Sequence, residues 1–401
     1  LAVTQYRNLA LIQLAAFTGS YGINFLIALA GGALYAACRT GFRGPGLRVL
    51  LAAVLTLTLA MLGGLIRLDR EKPVKPNWFP AVIQGDISQR RNANTNQAQE
   101  ALEIYLQLSR DALAGKPKPE ILLWPESAVP VPYRSTHSVS FLFRIGLQNL
   151  ILQSGVPMLI GAIDFEDKLP GSATPPGMTN SALFFNHRGR LRHKYDKIHR
   201  VPYGEYIPFR RCLPGFIVRM IDMNRDLVPG ADYNPIEVRS DVRAGTAICY
   251  EGVFGYLTRE FARRGANVLV VLSNDAWYPK SSEPEQHLAN ATLRAVETGL
   301  PMVRCGNNGG SLVVTPYGRI TQVLTVDGPE QRPELRRGRG VKTLAVGVEP
   351  SPSYTFYVRH GEWFIAVLAA VEAVFWLAAF AGFKKRKQAL LDAIRRPGAG
   401  S

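Results

Sequence analysis

Three long apolar runs constrain this chain more than any other feature. Residues 21–38 read YGINFLIALAGGALYAAC and residues 49–66 read VLLAAVLTLTLAMLGGLI, and neither run holds an acidic or basic residue. The third, residues 363–383, holds one, Glu372. A helix needs roughly 17–25 apolar residues to cross a hydrocarbon core, so each run is long enough. A buried helix of a soluble protein is the plainer alternative for a single run, and a cleaved signal peptide is another. Two runs close together and a third near the far end fit neither. The chain is therefore expected to divide into a membrane region over residues 1–76, a long segment of globular composition over 77–352, and a last span with a basic tail over 353–401.

Basic residues set the expected orientation. Arg39, Arg43 and Arg48 lie between the first two runs, and Lys384, Lys385, Arg386 and Lys387 follow the third. By the positive-inside rule both clusters stay in the cytoplasm, which puts the central segment on the other side. Glu372 would be costly in lipid, so it is expected either to face a neighbouring helix or to be protonated. The net charge of +16 raises the question of nucleic acid. Much of the excess flanks the spans, where it can meet anionic head groups, and the run 332–339 reads as a solvated or lipid-facing loop. No nucleic-acid partner is expected. Four cysteines, Cys38, Cys212, Cys249 and Cys305, are too few for a disulfide framework, although an external domain would allow a Cys212–Cys305 bridge. The first residue is Leu, and the first 20 residues read as the tail of something longer.

Within the central segment, short apolar runs alternate with amphipathic ones. Strands are expected at 81–85, 121–124, 158–163, 181–185, 246–250, 268–273, 302–305, 311–315 and 343–348, and helices at 98–114, 137–153, 253–264 and 285–298. Alternation of this kind argues for an α/β domain. Two hairpins are expected, in LFFNHRGRLRHKYDK near Arg188-Gly189 and in SLVVTPYGRITQVL near Tyr317-Gly318. Each follows a strand–helix–strand pattern, a weak internal repeat of about 130 residues that predicts two similar halves packed face to face. The Pro-rich segment 168–179 reads as a surface loop.

Three segments place a reactive side chain just beyond an apolar strand. In ILLWPESAVP it is Glu126, in KYDKIHRVPYGEYIP it is Lys197, and in TAICYEGVF it is Cys249. Taken singly, these read as a surface carboxylate, a solvated lysine and an inert buried thiol. Taken together they form a chemical set. A Cys nucleophile needs a base, which Glu126 supplies. A tetrahedral intermediate needs positive charge near its oxygen, which Lys197 and the backbone N–H of Tyr250 supply. Glu205 can pair with Lys197, and Glu251 can orient the pocket.

The segments WPES, KIHRVPYGEYIP, AICYEGVF and VLSNDAWYPKSSEPEQH resemble the signatures of the apolipoprotein N-acyltransferase family within the carbon–nitrogen hydrolase superfamily. The resemblance runs from about Leu11 onward. It implies a nitrilase-like four-layer αββα sandwich with flanking transmembrane helices. It implies Glu126 as general base, Lys197 as oxyanion-stabilising lysine and Cys249 as acylated nucleophile. Glu205 and Glu251 match two further carboxylates, and Tyr250 and Trp277 fall in the same pocket. The implied reaction is ping-pong: a fatty acyl chain passes from a phospholipid donor to Cys249, then to the N-terminal amine of a diacylated lipoprotein acceptor. The implied location is the cell inner membrane, multi-pass, with the catalytic domain on the periplasmic side. A monomer without cofactor is expected, and no metal, since the histidines lack a ligand spacing such as H-x-x-x-H. Two departures stand out. The family often carries a Trp soon after the segment corresponding to Gln84-Gly85-Asp86-Ile87, where this chain has SQRRNANTNQ, and it has more N-terminal spans. The rival readings are a membrane-anchored amidase or nitrilase acting on a small amide, and a receptor or scaffold with an inactive domain.

Overall fold

The computed structural model describes residues 1–88, 95–167, 176–220, 226–277, 281–326 and 332–395. Of the expected loop over 168–179, residues 168–175 lie outside that set, and Met178 and Thr179 already belong to a strand. The first sheet contains β1 (Pro80–Gln84), β2 (Ile121–Val129), β3 (Met158–Phe165), β4 (Met178–Phe185) and β5 (Leu191–Asp196). The second contains β6 (Ile236–Arg239), β7 (Val242–Ile248), β8 (Val268–Ser273), β9 (Met302–Gly306), β10 (Leu312–Val314) and β11 (Ile320–Thr321). A last strand, β12 (Gly340–Thr343), returns to the first sheet, giving the orders β12-β1-β2-β3-β4-β5 and β11-β10-β9-β8-β7-β6.

The two halves share one topology. Strands β1 to β3 are parallel and β3 to β5 antiparallel, while β7 to β9 are parallel and β9 to β11 antiparallel. The matching hairpin turns carry Gly189 and Gly318 at φ 67° and 84°, where a glycine has no Cβ to clash. This is the internal repeat expected from the sequence.

Strand periodicity of two sorts the side chains into layers. Val82, Leu123 and Leu159 join Ile248, Val270 and Val303 in the seam between the sheets. Their neighbours Ile83, Leu122, Trp124 and Ile160 face the other way, toward Leu102 and Tyr105 of helix Thr95–Ala114 and Phe143 and Leu147 of helix Ser138–Ser154. Helices Gly255–Arg263 and Glu283–Thr298 bury Leu257, Phe261, Leu288 and Ala291 with the second sheet. The order of layers is α, β, β, α. Each large apolar side chain buried this way contributes roughly 1.5–3 kcal/mol, and the seam continues up to the strand ends that carry the reactive groups.

Helices Ser20–Arg39, Gly44–Asp69 and Trp363–Arg395 are long and apolar enough to cross a membrane. Leu51, Leu55, Leu59, Phe375 and Leu377 point outward from them, as lipid contact requires. Glu372 also points outward, away from the other described helices, and accepts from Trp376 Nε1 one turn along at 3.4 Å. The spans join the sandwich through the first residues of the chain. Leu11, Ile12, Ala15 and Ala16 pack on Leu293 and Val296 of helix Glu283–Thr298. The amide of Ser20 donates to Glu297 at 2.8 Å, and Trp363 Nε1 donates to the Phe17 carbonyl at 2.8 Å.

Several expected elements shift. The strand expected at 343–348 ends at Thr343: Leu344 donates to the Pro80 carbonyl, but Pro80 has no N–H to return, and pairing resumes only as an isolated bridge between Val346 and Trp78. The helix expected from 253 starts at Gly255, after a separate 3-10 turn over Cys249–Val253. The short edge strand β6 was not expected from IEVR. No Cys212–Cys305 bridge forms: Cys212 is exposed, whereas Cys305 is buried with its thiol 3.2 Å from the Leu123 carbonyl.

Candidate active site

Glu126 does not follow its strand; it sits inside β2, on a bulge. The pairing of β2 with β3 shifts between Trp124 and Val129. Pro125 has no N–H to give the ladder, so the chain bows out there, and Ser127 takes φ 53°. Opposite stands Gly161 of β3, where a Cβ would lie 2.3 Å from the Pro125 carbonyl oxygen and 2.5 Å from Glu126 Cα. Only glycine leaves room for the bulge. The Glu126 carboxylate is thereby buried, its Oε1 accepting from Asn180 Nδ2 at 2.8 Å and Lys197 Nζ at 3.1 Å. Its Oε2 is buried with no partner among the described residues.

Lys197 leaves the end of β5 and is held by its backbone: its amide donates to the Asn180 carbonyl at 2.8 Å, and its carbonyl accepts from Gly230 at 3.0 Å. It is 1% exposed, not the solvated lysine its basic neighbours suggest. Taking an ammonium out of water costs several kcal/mol, which stands only if opposite charge is close. Two carboxylates meet that need, Glu126 at 3.1 Å and Glu205 at 3.0 Å. Burial alone would lower the Lys197 pKa; Glu126 and Glu205 outweigh it and hold the ammonium above its ordinary value. Glu205 is itself fixed by Asn180 Nδ2 and the Val201 amide, both at 2.8 Å.

Cys249 ends β7 at φ 51°, a backbone conformation that costs a non-glycine residue about 1–3 kcal/mol. Glu251 holds that turn in place. Its Oε2 accepts from the Ile248 amide and the Tyr195 hydroxyl at 2.8 Å each, and its Oε1 from the amides of Ile198 and His199 at 2.7 and 3.0 Å. One fully buried carboxylate thus ties the cysteine turn of the second sheet to the lysine segment of the first. Burial pushes its pKa up to about 7 against these donors. The Cys249 thiol is also raised, by burial and then by Glu126, while His287 and Lys197 pull it down.

A second charged group borders the cysteine. Donor atoms of Cys249, Asp275 and His287 all lie within 4.8 Å of one another. Such spacing is compact enough for a metal, but each group has other commitments. Asp275 accepts from Ser273 Oγ at 2.8 Å and from Arg304 at 2.6 Å, and His287 Nδ1 lies 3.2 Å from Asp275 and 2.7 Å from Glu283. Although burial works against it, Arg304 and His287 keep Asp275 below the usual carboxylate range. The donor set reads as an ion-pair network.

Residues 81–330 match the carbon-nitrogen hydrolase family. An apolipoprotein N-acyltransferase of Geobacter metallireducens is 33% identical over 391 residues, covering 95% of this chain and 69% of that protein. The chain belongs to the carbon-nitrogen hydrolase family, among the apolipoprotein N-acyltransferases. Namesakes from Brucella suis and Rhizobium meliloti are 34% and 32% identical over 72% and 73% of the chain, which spans 50% and 54% of their lengths. Among solved structures, the chain is similar to an amidase from Nesterenkonia sp. (18% identity, TM-score 0.47, covering 74% of this chain and 98% of that one). It is also similar to a carbon-nitrogen hydrolase from Helicobacter pylori G27 (18%, TM-score 0.45, 66% and 88%). Family and apolar helices together mark a membrane protein.

Of the family-matched residues, Glu126, Lys197 and Glu205 meet in one hydrogen-bonded group, with Glu251 behind Cys249. Tyr250 lies beside the cysteine, its ring edge-on to Phe254 with centroids 5.1 Å apart. Trp277 stands apart, closing the Asp275–Trp277 turn at 45% exposure next to residues 278–280, which lie outside the described set. Asn180, Asp275, His287 and Arg304 were not singled out from the sequence. Two of them left a signal there, a polar Asn180 within MTNSALFF and a charged Arg304 within MVRCG, because a polar group in a buried strand needs a dedicated partner.

Proposed function

We propose that the chain transfers a fatty acyl chain from a phospholipid to the N-terminal amine of a diacylglyceryl-cysteine lipoprotein, through a thioester on Cys249. The observation that carries this reading is Glu126, whose Oε1 is pinned by Lys197 while Oε2 stays buried without a partner among the described residues. An acyltransferase of this kind needs a base that is dry, fixed and free at one oxygen.

In the first half-reaction Glu126 Oε2 takes the Cys249 proton and the thiolate attacks the ester carbonyl. Lys197 and the Tyr250 N–H, at the start of a helical turn where amides lack intrahelical acceptors, stabilise the oxyanion. The C–O bond then breaks, and the lysophospholipid leaves with the proton from Glu126. In the second, the lipoprotein amine attacks the thioester, Glu126 takes its proton, the C–S bond breaks, and Glu126 returns the proton to the departing Cys249 sulfur. The spans support lipid substrates, since both partners are confined to the bilayer. The basic clusters support an inner-membrane, multi-pass location with the catalytic domain in the periplasm. A single chain carries every residue named, which supports action as a monomer. An acyl-transfer assay with a diacylglyceryl peptide and phospholipid tests the proposal: wild type yields the amide and Cys249→Ala yields none. Cleavage of small amides without acyl transfer would favour an amidase instead.

A further inference from the structure

We infer that His287 is a catalytic residue of this site, a buried imidazolium that holds the Cys249 sulfur as a thiolate after Glu126 has taken its proton. The inference deepens the reading above and rests on Cys249 being the nucleophile. The geometry argues for it in three steps. First, the ring stands beside the Cys249 side chain, one of its nitrogens within 4.8 Å of both Sγ and the Asp275 carboxylate. Second, Nδ1 faces two carboxylates, Asp275 Oδ1 at 3.2 Å and Glu283 Oε1 at 2.7 Å, so that nitrogen must carry a proton. Two carboxylates on one nitrogen favour the imidazolium over the neutral ring, and a positive charge within 4.8 Å of Sγ favours the thiolate. Third, Asp275 cannot relieve the ring of its proton, because Arg304 and Ser273 already hold it ionised.

The two carboxylates also exclude a rival role. In a simple Cys–His pair the imidazole is the base, which requires a pKa near the working pH. Here burial would lower the His287 pKa, but Asp275, Cys249 and Glu283 push it up to about 12. His287 is thus a fixed charge, and Glu126 moves the proton. Two cations, Lys197 and His287, thus favour the thiolate and offset Glu126. The outer ring of Glu205, Glu251, Asp275, Glu283 and Arg304 completes the charged groups packed around the pair.

The test is the pH dependence of Cys249 alkylation in the full chain, held in detergent or nanodiscs. Peptide-resolved mass spectrometry separates Cys249 from the exposed Cys38 and Cys212. His287→Gln is expected to move the alkylation midpoint up by about one pH unit or more. A profile that superimposes on wild type in His287→Gln overturns the inference. Should that variant fail to fold, His287→Asn removes the same charge with a smaller side chain, and an unmoved profile there overturns the inference. Alkylation needs no acyl donor, so this outcome is distinct from failure of the acyl-transfer reading, in which Cys249 ionises as described yet never carries an acyl group.

Discussion

Lys197→Met is expected to lower acyl transfer by about 10²–10³-fold, the usual loss when one oxyanion donor is removed. The side chain keeps its length and loses its charge, so the oxyanion loses its nearest cation. A second effect adds to the first. Glu126 and Glu205, bridged by this ammonium at 3.1 and 3.0 Å, become two buried carboxylates without it. One of them then takes up a proton, and a protonated Glu126 is no base. Stability should fall by about 3–5 kcal/mol, the range for breaking a buried ion pair from one side. The double variant Lys197→Met/Glu205→Gln separates the two effects, because it removes the orphaned charge and should regain much of the melting temperature while staying inactive. Thermal unfolding beside a single-turnover assay checks this. A double variant that regained activity would show that Lys197 serves folding alone.

Glu126→Gln should cost about 10²–10⁴-fold in thioester formation with little change in melting temperature. The amide oxygen can still accept from Lys197 and Asn180, so the group stays assembled. The oxygen that is lost is Oε2, which has no partner among the described residues and is the one assigned to take the thiol proton. The pH profile should also change form. With its base gone, the reaction waits on the thiol's own ionisation, which burial raises. The variant should therefore gain rate continuously with rising pH, where wild type levels off. A rate within about threefold of wild type at neutral pH would remove Glu126 as the base.

Much of this architecture was legible in the residues. Apolar runs marked the three long helices, glycine turns marked the repeat, and motifs in or just after apolar runs marked Glu126, Lys197 and Cys249. What the sequence hid was chiefly three-dimensional pairing. Nothing in KYDKIH distinguishes a solvated lysine from one that two distant carboxylates hold in a dry seam. The bulge that carries Glu126 depends on Gly161, 35 positions away and on another strand. His287 escaped notice because only Glu283 is near it in sequence; Asp275 lies before its helix and is itself held by Arg304 of β9, and only the packing of helix Glu283–Thr298 beside the cysteine turn unites them. Its neighbourhood was already part of a quoted motif, yet the motif alone gave the ring no role.

The most direct measurement is intact-protein mass spectrometry of the chain after incubation with phospholipid in the absence of acceptor. The mechanism predicts a fatty-acyl mass adduct on Cys249 that neutral hydroxylamine removes, that a diacylglyceryl peptide discharges, and that is missing in Cys249→Ala. A chain that forms amide product while Cys249 stays unmodified, or that acylates equally well in Cys249→Ala, would contradict it.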